Sequence, residues 1–504
     1  MGQPTELGGQ NIQDDQIFRV FVGGAPFPDA WRPRSPLPHV TSLTTLRLAG
    51  AVIVAVGAGC EGFQSKPIDR ESVDRALAPP EVKSVKVAAT RIKHPLLAPI
   101  VIDGQGGFTP EEIAVMVVIV SPDLRAIRDQ RGVAEAQVVE AGILPNPQFG
   151  YSFDKPYGSY SPAVVPARSL GLTWEVTSLL ARHDKVAAAK AGAESVDLSI
   201  AWQEWQAAQD SRLRAYRILS LERRLLLAHS IESGMADMLE RTRRAVLLGS
   251  RTAADLTVAA EGLTQVQSTR FEIERELGSE RGALSLSMGM TAGDAVPLKY
   301  PGPAAASAAQ TVPTAAALLG GLEDRRLDLV ALRFGYESQQ ASVRAAVMAQ
   351  FPKIGLGLNK ANDTTPINTR GVAVTVDLPV FDRNQGQIAI GKATRQQLFD
   401  EYVLRVAQAR SQVIQALADL AAVRAQLGTV EASLPDLSRL VSSDEVALRS
   451  GNADEASYLD AQSALATRQI EQELLLQEVR ELGVALEIAT GRPSIEPLPN
   501  NAAP

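Results

Sequence analysis

Cysteine is all but missing from this chain: one residue, Cys60, in 504, so no internal disulfide framework exists. Histidine is scarce too. His39, His94, His183 and His229 stand apart, none at metal-ligand spacing to another ligand, which points to surface or packing roles and to no metal or cofactor centre. No charge of one sign prevails: 50 Lys and Arg stand against 57 Asp and Glu, with a pI near 5.4. No basic stripe is interleaved with aromatics either, so nucleic acid is not an expected partner. The apolar runs 48–58 and 113–120 both fall short of the ~20 residues that a membrane-spanning helix needs. Catalytic groupings are absent as well. Gly355-Leu356-Gly357 lies in a strand pattern and cradles no phosphate, and Met288-Gly289-Met290 reads as helix-end packing rather than a metal relay. An enzyme is therefore not expected.

The single cysteine is placed informatively. Arg47 precedes the apolar run 48–58, and Gly57-Ala58-Gly59-Cys60 follows, which resembles a bacterial lipoprotein signal with a lipobox, although Gly57 stands where an aliphatic residue is usual. Cys60 is thus the expected lipid anchor. Residues 1–40 hold Pro26, Pro28, Pro33, Pro36 and Pro38, make a long lead for such a signal, and imply a translation start near Val40 or Leu43. Residues 1–59 form this leader and signal region. Residues 60–108, rich in proline, lysine and valine without sustained periodicity, read as an extended tether.

What the chain has in plenty is helix, and one strand-to-helix junction made twice. Residues 171–191 (GLTWEVTSLLARHDKVAAAKA) and 371–393 (GVAVTVDLPVFDRNQGQIAIGKA) superimpose on a shift of 202, with Thr173 on Thr375, Glu175 on Asp377 and Lys190 on Lys392. A shift of 205 places Phe149, Gly150, Tyr151 and Phe153 on Ile354, Gly355, Leu356 and Leu358. The chain therefore reads as two tandem repeats, 109–296 and 314–493, joined by the Pro/Ala/Gly linker 297–313 and followed by a disordered tail, 494–504. Thr109-Pro110-Glu111-Glu112 carries an N-cap, proline at the first helical position and acids in the first turn, which predicts a helix from there to about Leu144. Alternation then predicts strands: Phe149, Tyr151 and Phe153, then Leu170, Leu172, Trp174 and Val176, and in the second half Val372, Val374, Val376 and Leu378 on one face, with Glu175 and Asp377 on the other.

Helices of unusual length follow each second strand, 179–248 and 386–450, with returning helices over 253–290 and 455–490. In the second, Val406, Val413, Leu417, Leu420, Val423, Leu427, Val430, Leu434, Leu437 and Val441 are spaced almost wholly by threes and fours, a coiled-coil seam in which Pro435 is expected to split the helix. The fold class is thus mostly α with a small β part. Four short strands cannot close a membrane barrel alone, so closure requires several chains, two giving eight strands and three giving twelve. An apolar face turned to lipid and a lumen bearing Glu175 and Asp377 would make a water-filled pore. A soluble sheet, or a periplasmic coiled-coil structural or adaptor protein, fits the lipoprotein signal and the paired hairpins less well.

Ser121-Pro122-Asp123-Leu124-Arg125-Ala126, Leu144-Pro145-Asn146-Pro147 and Leu378-Pro379-Val380-Phe381-Asp382-Arg383-Asn384-Gln385-Gly386, set in two repeats over 109–493, resemble the TolC-like outer-membrane efflux proteins, and among them the heavy-metal efflux branch. The resemblance implies a homotrimer whose twelve strands form one β-barrel in outer-membrane lipid, continued by a long α-helical barrel through the periplasm. It implies a passive exit duct of a tripartite efflux system, fed by an inner-membrane pump of the resistance-nodulation-division type through a periplasmic adaptor protein. By position, Leu248, Gly249, Ser250, Arg251, Thr252 and Ser450, Gly451, Asn452, Ala453, Asp454 would be the adaptor-docking tips. Asp255 resembles a carboxylate that links tip helices in the closed state, and Asp460 one that rings the periplasmic entrance. Ser457 and Ala453 depart from the family pattern, at a second entrance carboxylate and at a linking arginine.

Overall fold

Thr109 nucleates the helical body as its sequence predicts. Its hydroxyl accepts from Glu112 N at 3.2 Å while the Glu112 carboxylate accepts from Thr109 N at 2.8 Å, a reciprocal capping box. The computed structural model describes residues 62–78, 81–158, 164–291, 296–299, 313–365, 367–450 and 455–492. The leader and Cys60, most of the linker 297–313 and the tail fall outside them. The chain divides into two compact units, 1–70 and 71–504, and the elements below belong to the second, α1 starting at the boundary.

In order these are α1 (Arg70–Leu77), α2 (Val82–Ala89), α3 (Pro110–Val120), α4 (Pro122–Gly142), β1 (Gln148–Asp154), β2 (Ala167–Glu175), α5 (Ser178–Leu247), α6 (Ala253–Ser287), α7 (Ala315–Leu319), α8 (Leu322–Arg325), α9 (Leu327–Met348), β3 (Lys353–Asn362), β4 (Asn368–Asp377), α10 (Gln385–Arg449) and α11 (Glu455–Thr490). The long helices match the predicted spans within three residues. With 70 residues, α5 is roughly 100 Å long at 1.5 Å per residue. It is also the element on which the others pack: α3, α4, α6, α9 and α11 all lie against it.

Three expectations are corrected. The helix predicted from 109 to 144 is two helices, because Pro122 disfavours the α conformation at the residue before it and Ser121 sits at φ −55°, ψ 124°. Residues 60–108 are not simply an extended tether: α1 and α2 form within them, and Val85, Ala89 and Ile102 join Ile113, Val117, Ile218 and Leu284 in one buried cluster. Those apolar residues are too widely spaced, across turns, to register as one periodic element. Pro435 does not divide α10, which runs unbroken from Gln385 to Arg449. Its missing N–H forgoes one i to i−4 bond, and the helix continues past that gap.

The predicted seam is real along most of its length. Val413, Leu420, Val423, Leu427 and Val430 are buried with Leu475, Val479 and Leu486 of α11, and Val406 and Leu417 pack partly buried on them. Leu434, Leu437 and Val441 are only half-buried.

Candidate functional site

The strands form one antiparallel sheet in the order β1-β2-β3-β4. Directly opposed residues share a face, so the register sorts every side chain. Phe149 stands opposite Leu172, Leu172 opposite Leu358 and Leu358 opposite Val372; the next row joins Trp174, Leu356 and Val374. Apart from the half-buried Trp174 these residues are exposed, Val372 at 81%. The opposite face carries Ser152, Ser169, Gly171, Thr173, Gly355, Gly357, Thr375 and both predicted carboxylates. Glu175 is opposite Gly355, and Asp377 is opposite Lys353, a cation on that face that the sequence alone does not single out. Glycine is needed here: a Cβ at Gly355 would collide with Thr375 Oγ1.

The apolar band does not follow the rows. It centres on Tyr151 in β1, whose row runs through Leu170 and Lys360 to Arg370, yet in β4 it centres on Val374. That displacement is four residues, roughly 13 Å, across three strand spacings of roughly 14 Å in all, a slope of about 45°.

Between the sheet and α10, the stretch 381–384 is a built turn. Asn384 is the one described non-glycine residue at positive φ, 59°; its N–H donates to Asp382 Oδ1 at 2.8 Å and its amide to Ala346 O at 2.8 Å. Asparagine visits this conformation more readily than other non-glycine residues, and here its side chain is held by a carbonyl 38 residues away. Trp174 Nε1 donates to Pro145 O at 2.8 Å and fastens β2 to the chain entering β1.

At the other end of α5 the short turn 248–252 reverses the chain. Gly249, at φ +76°, ends the helix; its N–H donates to Val246 O and the Ser250 N–H to Ala245 O, the Schellman arrangement that glycine permits. Thr252 and Asp255 then cap α6 reciprocally: Thr252 N donates to Asp255 Oδ2 at 2.8 Å and Asp255 N to Thr252 Oγ1 at 3.2 Å. The backbone bond from Thr252, with its hydroxyl, holds the Asp255 carboxyl below its ordinary pKa. Leu247 and Leu248 project at this turn, 81% and 84% exposed. Ser250, Arg251 and Thr252 are exposed as well, as are Ser450 and Asp460. Gly451, Asn452, Ala453 and Asp454 lie outside the described residues.

A feature that sequence reasoning misses runs between the two ends. Arg212 Nη1 of α5 donates to Glu487 Oε2 of α11 at 2.6 Å, and Arg217 grips Glu481 through two bonds of 2.8 and 2.9 Å. Burial works against the Arg212 charge, but Glu487, Tyr216 and Glu111 together outweigh it and its pKa rises. Burial likewise raises the Glu481 carboxyl, and the bonds from Arg217 and Gln477 overcome it to leave a lowered pKa. These partners are 264 and 275 residues apart, a distance no local spacing encodes.

Among the described residues no helix is long and apolar enough to cross a membrane, and no group of three or more His, Cys, Asp or Glu is placed to hold a metal ion.

Residues 318–492 match the family described as "Outer membrane efflux protein". The cobalt-zinc-cadmium resistance protein CzcC of Cupriavidus metallidurans is 26% identical over 305 residues, 57% of this chain and 72% of that protein. Among solved structures, CusC, in work on folding and transmembrane channel formation, aligns with a TM-score of 0.62 at 16% identity, over 78% of this chain and 93% of its own. The outer membrane protein VceC of Vibrio cholerae aligns at 0.60 and 16% identity, over 77% and 97%. At such identities the structural likeness is one of fold.

Proposed function

We propose, from the premise that this chain belongs to the TolC-like outer membrane efflux proteins and to their heavy-metal branch, that it is the passive exit duct of a tripartite efflux system. Its place is the outer membrane, and no residue in it is catalytic. The single observation that carries the reading is the sheet: an apolar face exposed on every strand, a small and polar face opposite, and two edges, β1 and β4, left for other chains.

Three copies joined β4 to β1 supply twelve strands and remove every edge, as a membrane barrel requires. The slope of about 45° supports closure, since strands in such barrels tilt by roughly 35–45°. The two tandem repeats, 109–296 and 314–493, are supported by matching details: Gly289 and Gly491 end α6 and α11 at positive φ, 202 residues apart. Cys60 anchors the chain to lipid, and α5, α6, α10 and α11 continue the duct through the periplasm as a helical barrel. Glu175 and Asp377 face the lumen. Asp460 lines the entrance, Asp255 takes part in its closure, and the turns 248–252 and 450–454 dock the adaptor that links the duct to a resistance-nodulation-division pump. The Cupriavidus relative, a cobalt-zinc-cadmium resistance protein, makes transition-metal cations the first cargo to test.

Planar-bilayer recording with the purified full-length protein, beside its mass in detergent, tests this reading. A trimer that opens water-filled channels is expected; a soluble monomer that never conducts overturns it.

A further inference from the structure

A cation follows the apolar band on every strand, always at the same end. On the band's face, the next position beyond Phe153 of β1 is Lys155, just past the strand's last residue; beyond Leu170 of β2 it is Arg168. Beyond Leu358 of β3 it is Lys360, and beyond Val372 of β4 it is Arg370. All four cations are exposed. Lys360 and Arg370 stand opposite each other, whereas Arg168 stands opposite Asn362, one step further along, and Lys155 lies a step beyond the Phe153–Arg168 pair. The cations therefore follow the slope of the band rather than a single row of the ladder.

None of the four is in an ion pair among the described residues. Arg168 lies over the Phe153 ring at 5.6 Å. Of the nearby acids, Asp154 alternates to the opposite face beside Ala167, and Asp363 accepts from Thr364 N at 2.6 Å. The collar is also one-sided. At the edge nearer the helices the same alternation leads to Pro147, Val176, Pro352 and Leu378, with no cation.

We propose that Lys155, Arg168, Lys360 and Arg370 form a collar that binds the phosphate groups of anionic lipid in the membrane leaflet farther from the helices. The inference rests on the barrel reading above. Exposed cations just past an apolar band lie at headgroup depth, where each Lys or Arg is attracted to anionic lipid, and Arg adds paired donors that match phosphate oxygens. Three chains would close the collar into a ring.

Lipid retention by the full-length protein in detergent tests it, with diphosphorylated lipid A, its dephosphorylated form and inorganic phosphate as probes. The wild-type protein should retain the phosphorylated lipid at least about tenfold better than the dephosphorylated one, a preference that weakens with salt. Combined Lys155→Gln, Arg168→Gln, Lys360→Gln and Arg370→Gln should abolish the preference, while Lys155→Arg with Lys360→Arg keeps it. Equal retention of the two lipids, an undiminished preference in the glutamine variant, or displacement by millimolar inorganic phosphate overturns the proposal. Planar-bilayer conductance separates the two readings: a protein that conducts without the preference removes only the collar, and one that never conducts removes the barrel and the collar with it. If the fourfold variant fails to insert, Lys360→Gln and Arg370→Gln singly should each lower the preference, and no change in either counts against the collar.

Discussion

His94 is held as a neutral ring by three bonds: Nδ1 accepts from the Leu96 and Leu97 amides at 3.0 and 3.1 Å, and Nε2 lies 2.9 Å from Ala201 O, to which it donates. Burial lowers its pKa from 6.5. Glu204 of α5 faces Nε2 at 3.7 Å, but Arg128 of α4 already grips that carboxylate at 2.5 Å. Protonation would forfeit both amide bonds. The sign follows: the unfolded chain takes up its proton first, so stability is complete above about pH 6.5 and is lost as pH falls from there through the lowered folded value. Protection of the Leu96 and Leu97 amides against hydrogen exchange, corrected for intrinsic rate, should fall across that window, and His94→Gln should flatten the dependence. The scattered spacing of the histidines marks His94 as a packing residue; its partner Ala201 comes from 107 residues away, which no local pattern records. Arg212 and Glu487 make the same point with larger energies. Arg212→Met removes from Glu487, 6% exposed, the cation bound to its Oε2 and should cost about 3–5 kcal/mol, whereas Arg212→Met with Glu487→Leu should recover most of it; thermal unfolding of both variants in detergent decides.

Elements are legible in the sequence where one period rules for long enough. The change from alternation to threes and fours locates β1, β2, β4 and the four long helices, and the capping residues Thr109 and Gly249 set helix ends that the structure reproduces. Short elements whose burial depends on other segments are not legible, which is why the α2 stretch reads as tether. Helix ends also carry constraints invisible in propensity. Gly289 closes α6 at φ +71°, and a Cβ there would lie 2.7 Å from Pro122 Cγ at the start of α4. Gly289→Ala should therefore destabilise the fold by roughly 1–3 kcal/mol, read as a lower unfolding temperature. Gly262→Ala, where a Cβ would meet nothing within 4 Å, should be neutral or slightly stabilising because alanine is the better helix former.

At the scale of the whole molecule, the sheet end and the tip end of α5 solve different problems. The sheet exposes a band of apolar side chains across all four strands of one face, whereas apolar exposure at the turn after α5 is confined to Leu247 and Leu248 beside polar neighbours. Two leucines on a turn held by a Schellman bond and a capping box suit a small, rigid protein contact. On the docking role proposed above, Leu248→Asp should abolish binding of an adaptor, measured by co-purification, and leave single-channel conductance unchanged; adaptor binding equal to wild type would remove this turn from the proposed docking surface. In the duct proposed above, Asp460 would separate the entrance from the dock. It is exposed in α11, and its carboxylate, repeated in three copies around a narrow opening, would favour cations by Coulomb attraction. Asp460→Ala should lower cation preference and raise conductance without weakening adaptor capture. An unchanged reversal potential under a salt gradient would show that the selectivity of the proposed duct is set elsewhere, with the Asp377–Lys353 row of the sheet the next place to substitute.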